Sequence, residues 1–242
     1  MTLPIRSAQD AKAEALGPFT RQILFAPSLG NSRYMRMAIV TGPPGTRSPA
    51  HTHPGNEAIY TVQGEIMCAI AGGEYRVGSG HAIVIPPDTP HPGSIMSDMP
   101  WISICFYCDE CPALAAYRAG GGTARAEQPR VVSAEAIAPE QLGELRRRIL
   151  FTPSRDGINY LRLGVAEGPV GAKGAVHKHL GNECFYTLRG QATLVIGGEP
   201  HVVNAGSGMS IPPDTEHPLT STGDETWNAV AAYCDECPAL GR

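Results

Sequence analysis

No stretch of this 242-residue sequence stays apolar for the roughly 18–20 residues that a helix needs to cross a bilayer, so an α-helical membrane protein is excluded. Residues 1–20 are polar, alternate alanine with charged residues and lack the apolar centre of a secretory signal. The expectation is a cytoplasmic protein without a membrane partner. There is no basic cluster either. The 19 lysines and arginines are outnumbered by 23 acidic residues, which leaves a net charge of −4 and removes nucleic acid from the expected partners. Cysteines number seven, and an odd count in an intracellular chain argues against a disulfide framework. Glycine (28) and proline (22) are abundant instead, which predicts many turns and therefore many strands.

The dominant feature is an internal repeat. Arg21–Ser28 (RQILFAPS) returns as Arg147–Ser154 (RRILFTPS), Ile85–Pro92 (IPPDTPHP) as Ile211–Pro218 (IPPDTEHP), and Tyr107–Leu114 (YCDECPAL) unchanged as Tyr233–Leu240. The offset is always 126 residues, and 40 of 94 aligned positions are identical. This divides the chain into an N-terminal segment (1–20), a first copy (21–114), a connecting segment (115–146) and a second copy (147–242). Ser7–Gly17 reads as a short helix with Ser7 as cap and Gly17 as stop, and Ser133–Arg148 reads as helical in the equivalent place. Arg118–Pro129, rich in glycine, reads as a flexible linker. Within the copies, short alternating segments such as Tyr34–Val40, Glu57–Gly64, Glu65–Gly72, His81–Pro86 and Trp101–Tyr107 are separated by turn residues. They predict an all-β sandwich or barrel, preceded in each copy by a short helix.

Six of the eight histidines fall in a duplicated pattern. The first copy has Gly45, His51, His53, Glu57 and Gly64, then His91. The second has Gly171, His177, His179, Glu183 and Gly190, then His217. Histidines at i and i+2 of an extended segment point to one face, and the glutamate four positions on keeps that parity. With a third histidine from another strand, each copy offers three imidazoles and a carboxylate. That set suits Fe(II), Mn(II), Ni(II) or Zn(II) without choosing among them. A lone histidine is usually an ordinary polar residue; four potential ligands recurring at identical spacing favour metal. His81 and His201 do not pair in this way.

The pattern G-x5-H-x-H-x3-E-x6-G followed by G-x5-P-x-D-x2-H resembles the two motifs of the cupin superfamily. Gly80 and Pro86 open the second motif in copy one, and Gly206 and Pro212 open it in copy two. The family usually has glycine where Asp88 and Asp214 stand, and often asparagine where Ile95 and Ser221 stand. The resemblance implies a bicupin: two tandem double-stranded β-helix (jelly-roll) barrels about a pseudo-two-fold axis. One divalent metal is then expected in each, held by His51, His53, Glu57 and His91 and by His177, His179, Glu183 and His217. Because the chain already mimics a dimer of single cupins, further assembly into a homo-oligomer stays open.

Cys108, Cys111, Cys234 and Cys237 form two CxxC pairs. They are expected either to build one four-cysteine site of a second metal type, if the axis brings them together, or to end each last strand as buried thiols or as a local bond within each pair. The W…YC-x2-C ending also resembles, over a short stretch, cupins of the 3-hydroxyanthranilate dioxygenase type, whose cysteine pairs hold a structural metal. Cys68, Cys105 and Cys184 read as core. Arg36 and Arg162, equivalent residues on the first strand of each copy, are candidates to clamp a substrate carboxylate; solvated surface arginines are the plainer reading. Asn56 and Asn182 are candidates to brace the ligand turn, and Tyr60 and Tyr186 to pack. Trp101, Tyr107, Trp227 and Tyr233 are expected to fill the core or line the pocket mouth.

The leading functional expectation is an Fe(II)-dependent dioxygenase acting on a small carboxylate or phenolic substrate, since four protein ligands leave two positions of a six-coordinate ion open. Many bicupins are dioxygenases. The alternatives are non-redox chemistry on Mn or Zn (isomerisation, decarboxylation or hydrolysis) and a non-catalytic small-molecule-binding protein.

Overall fold

The structure, a computed structural model, describes residues 5–116, 119–120, 129–156 and 158–240. Of the glycine-rich linker expected at 118–129, residues 118 and 121–128 lie outside them. Each copy folds into a large antiparallel sheet of seven strands and a small one of three. In the first copy the large sheet contains Met35–Gly42, Trp101–Cys108, Glu57–Gln63 and His81–Ile85. The small sheet contains Glu65–Ile70, Gly73–Gly78 and Gly93–Ile95. The second copy repeats this with Leu161–Gly168, Trp227–Cys234, Glu183–Arg189 and Ser207–Ile211 in its large sheet.

Strand alternation divides the apolar residues among three cores. Ile59, Ile66, Val77, Ile83 and Trp101 fill the first barrel. Leu145, Phe185, Leu194, Val203 and Trp227 fill the second. The opposite faces of the same strands meet between the barrels, where Phe25, Met35, Met37, Ile104 and Phe106 pack with Phe151, Leu161, Leu163 and Val230. Strands buried on both faces therefore carry few polar residues on either side. Tyr60 and Tyr186 pack against this middle core, as their parity predicts.

The segments expected to be helices each hold one 3-10 turn followed by strand. Ser7 does act as a cap, its Oγ accepting from the Gln9 amide at 3.2 Å, but it caps only the single 3-10 turn Ala8–Asp10. Ala13–Leu16 then pairs with Phe19–Phe25, and Gly17, at φ +62°, makes the turn between them. The second segment repeats this: a 3-10 turn at Ala134–Ala136, then Glu140–Leu142 paired with Leu145–Phe151. Gly143, at φ +67°, turns where a side chain would strike the backbone of Lys173 and Ala175. The exposed edge of each sheet offers backbone partners that outweigh a weak helix propensity interrupted by glycine.

The same segments cross between barrels. Ile5–Ser7 pairs with Ser207–Ile211 and closes the edge of the second barrel's sheet. Arg130–Ser133 pairs with His81–Ile85 and closes the edge of the first. Each barrel is completed by residues preceding the other copy.

Phe106 and Phe151 are fully buried in the middle core. Phe106→Ala is expected to cost about 3–5 kcal/mol in urea denaturation. In single-tryptophan variants retaining Trp101 or Trp227, both reporters should shift to the same lower midpoint, because the truncated contact is shared.

Candidate metal centres

His51 and His53 lie on a stretch held by backbone bonds to the loop carrying His91: the His91 amide donates to the His51 carbonyl at 3.2 Å and the Asp88 amide to the His53 carbonyl at 2.7 Å. The second copy repeats both bonds at the same lengths, His217 to His177 and Asp214 to His179. Asp88 (φ +52°) and Asp214 (φ +55°) occupy the left-handed conformation that explains why this position favours glycine, and aspartate tolerates it better than most residues. Glu57 and Glu183 open the adjacent strands Glu57–Gln63 and Glu183–Arg189.

The expected quartets come together. His51, His53, Glu57 and His91 place one ligand atom each within 4.8 Å of one another, as do His177, His179, Glu183 and His217. Glu57 Oε2 lies 3.4 Å from His53 Nε2 and 3.0 Å from His91 Nε2. Glu183 Oε2 lies 3.0 Å from His179 Nε2 and 3.1 Å from His217 Nε2.

Whether a metal fits is decided by what these atoms lack. His51, His91, His177 and His217 each turn Nδ1 to a backbone carbonyl, at 3.2, 2.8, 2.9 and 2.7 Å respectively. A ring nitrogen facing a carbonyl must donate, so in the neutral ring Nε2 keeps a bare lone pair. At His91 and His217 that lone pair faces carboxylate oxygen, another acceptor. Glu57 Oε2, His53 Nε2, His91 Nε2, Glu183 Oε2 and His217 Nε2 are all buried without a hydrogen-bond partner. Acceptors converging on one point out of water call for a cation there. Three imidazoles and a carboxylate, with their outer nitrogens already oriented, fit a divalent metal.

The metal-free electrostatics agree. Burial pushes the Glu57 and Glu183 carboxyls up, but the neighbouring histidines outweigh it and hold both well below the usual range. Burial pushes His91 and His217 down, but their glutamates outweigh it and raise both. His51 and His177 are lowered by burial and by His91 and His217.

A narrow cavity reaches the first centre, lined by Phe19, Val40, Ile59, Ile66 and Trp101, with Cys68, Cys105 and Ser48 among the rest. The second cavity is lined by Leu142, Leu145, Phe185, Leu194 and Trp227. Trp101 and Trp227 are thus both core and wall, each with its indole N–H on a buried threonine, Thr61 or Thr187. Tyr107 and Tyr233 stack on His53 and His179 at 4.6 and 3.8 Å between ring centroids.

Arg36 and Arg162 do not line either of these cavities. Arg36 stands behind Tyr107, 5.7 Å from its ring centroid, and its Nε donates to Asp109 at 2.8 Å. Arg162 does the same with Tyr233 at 5.6 Å and Asp235 at 2.8 Å. An aspartate occupies each guanidinium, so both arginines anchor the CxxC loops. Arg162 also lines a third, polar cavity together with Lys178, His179 and Tyr233.

Asn56 and Asn182 do more than brace their turns. Asn56 Nδ2 donates to the Ile85 carbonyl at 3.3 Å, while its Oδ1 accepts from the Asn159 amide of the other barrel at 2.6 Å. Asn182 donates to the Ile211 carbonyl at 2.9 Å and accepts from the Arg33 amide at 2.7 Å. The residue preceding each metal-facing glutamate is therefore tied across the interface. Sequence reasoning passed over the cavity walls: Leu16, Phe19 and Ser48 belong to no motif, and only closure of the barrel brings them to the site.

The cupin domain family matches residues 38–107 and again residues 164–233. The chain belongs to the cupin family. It is 35% identical over 75 residues to dimethylsulfoniopropionate lyase DddW of Ruegeria pomeroyi, a match covering 31% of this chain and 49% of that one, so it spans about half the lyase's length. It is 30% identical over 99 residues to protein SchB of Streptomyces halstedii, covering 40% of this chain and 72% of SchB. Among solved structures, oxalate decarboxylase of Bacillus subtilis, an enzyme with Mn(II) centres, superimposes with a TM-score of 0.79 at 16% identity. That superposition covers 98% of this chain and 78% of the decarboxylase. At that identity the likeness concerns the fold, and the fold is a bicupin: two jelly-roll barrels, each with a His/Glu centre for a divalent metal.

Because His91 and His217 hold protons to higher pH than a free imidazole, a metal must displace them. Apparent affinity for Mn(II) is expected to fall as pH drops through that raised range, with protons released on binding. Calorimetric titration in buffers of different ionisation enthalpy checks this; affinity flat from pH 8 to pH 5 would contradict the assignment.

Proposed function

We propose that this bicupin is a metal-dependent dioxygenase, with Fe(II) as the favoured ion, acting on a small, largely apolar molecule that carries a carboxylate or phenolate. One observation carries the reading: each of these two cavities ends on the ligand set but is otherwise walled mostly by apolar side chains, with no carboxylate, histidine or lysine beyond the ligands among the described residues. Chemistry that moves protons about the substrate needs such a group close by. When bound, the ion supplies open positions for dioxygen and a chelating substrate, and the one-electron chemistry that joins them.

The protein's own residues do the rest. His51, His53, Glu57 and His91 fix the ion's position and face. Phe19, Val40, Ile59, Ile66 and Trp101 press on the apolar body of the substrate and exclude water. With no cation among the described residues that wall these two apolar cavities, the substrate's anionic group is bound at the metal centre. The seven unpaired thiols suit a reducing compartment, the cytoplasm.

Protein loaded anaerobically with Fe(II) is expected to consume oxygen in step with substrate when screened against aromatic and keto acids. His51→Ala and His177→Ala, made separately, test each barrel. At least one should lower the rate by more than the roughly 10–100-fold typical of losing an outer-shell partner. The likeness to a lyase favours a second reading, non-redox cleavage on Mn(II) or Zn(II). Product formation without oxygen uptake on those ions would replace the first reading with it.

A further inference from the structure

The two CxxC pairs play no part in the reading above. Each follows a strand that ends on its first cysteine, Trp101–Cys108 and Trp227–Cys234. Glu110 (φ +51°) and Glu236 (φ +49°) take the left-handed conformation that turns each loop back on itself. The Asp109 amide donates to the Tyr34 carbonyl at 2.9 Å and the Asp235 amide to that of Tyr160 at 3.0 Å, while Arg36 and Arg162 hold the aspartate side chains. Both loops are therefore rigidly set. The facing Cys237 thiol holds the Cys111 thiol below the usual range, helped by the amides of Ala113 and Leu114 that point at its sulphur; the Ala239 amide points at the Cys237 sulphur, but Cys111 and burial push that thiol up.

The pseudo-two-fold axis brings the loops together. Cys111 Sγ lies 3.6 Å from Cys237 Sγ, across the barrel interface. The Cys108 thiol faces that of Cys234 and also donates to the Tyr160 carbonyl at 3.9 Å; no three of the four sulphurs yet stand within 4.8 Å of one another. All four are 3–4% exposed, and none is oxidised. A disulfide requires a sulphur separation near 2.05 Å. Two thiolates of a tetrahedral zinc site with Zn–S near 2.3 Å stand about 3.8 Å apart. The observed spacing matches an edge of that tetrahedron.

We propose that Cys108, Cys111, Cys234 and Cys237 form one tetrahedral thiolate site for a zinc-class metal ion, shared by the two barrels. Binding draws Cys108 and Cys234 onto the edge already formed by Cys111 and Cys237, and the thiol protons leave to solvent. The site is independent of the His/Glu centres and of the reaction they perform. It pins the interface next to both: Gly55 and Gly181, in the two ligand turns, pack directly on Cys108 and Cys234.

Cobalt(II) titration of the reduced, metal-stripped full chain tests this. Tetrahedral thiolate coordination gives intense sulphur-to-cobalt charge-transfer absorption in the near ultraviolet, which His/Glu sites do not. The expected result is that this absorption saturates at one equivalent per chain. It should fall to background in Cys111→Ser and Cys237→Ser, remain in the double variant His51→Ala/His177→Ala, and be displaced by one equivalent of zinc. Absence of the absorption in the wild-type chain at saturating cobalt overturns the proposal whether or not the variants fold. So does its persistence in a folded Cys111→Ser chain, or a Cys111–Cys237 disulfide found in the non-reduced native protein.

Discussion

A carboxylate buried among lone pairs sets the terms for each barrel. Glu57 and Glu183 carry a charge that burial opposes, and the groups around them are mostly acceptors once their outer nitrogens are committed to carbonyls. Such a cluster persists only with a cation, either a proton shared with a histidine or a metal. The features surrounding it serve that cluster: backbone bonds fix the two histidine-bearing stretches together, a tyrosine ring supports the back of one imidazole, and an asparagine secures the turn before the glutamate. The barrel's apolar filling keeps bulk water from substituting for the ion.

The interface between barrels is as much a part of these centres as the barrels are. The asparagine beside each glutamate accepts its strongest bond from the opposite copy. The strands carrying Cys105 and Tyr107 on their inner face present Ile104 and Phe106 to the middle core on the other. Packed cores respond to displacement by rearranging rather than bending, so a shift at one interface residue reaches both ligand turns.

Much of this was legible in the sequence, for a physical reason. Duplication at constant spacing gave every motif a control, so His51, His53, Glu57 and His91 stood out from His81, which has no counterpart. Alternation exposed the strands because the barrel has two buried faces. For Arg36 and Arg162, strand parity says which face a side chain takes but not what already pairs with it; Asp109 and Asp235 are 73 residues away. The helices at Ser7–Gly17 and Ser133–Arg148 misled because local propensity is silent about a distant sheet edge. Ala13–Leu16 has no conformational reason to extend until Phe19–Phe25 offers its backbone.

The reciprocal exchange of edge strands has an implication for the protein's history. Ile5–Ser7 and Arg130–Ser133 each finish the partner barrel, so neither half is a self-contained unit, and the arrangement is that of a swapped homodimer joined into one polypeptide. In a homodimer every substitution strikes both sites at once. Fusion lifts that symmetry, and the cavities record the release: Cys68, Cys105 and Ser48 stand in the first where Leu194, Ala231 and Gly174 stand in the second. One scaffold thus carries two environments free to specialise, while the shared middle core obliges them to stand or fall together.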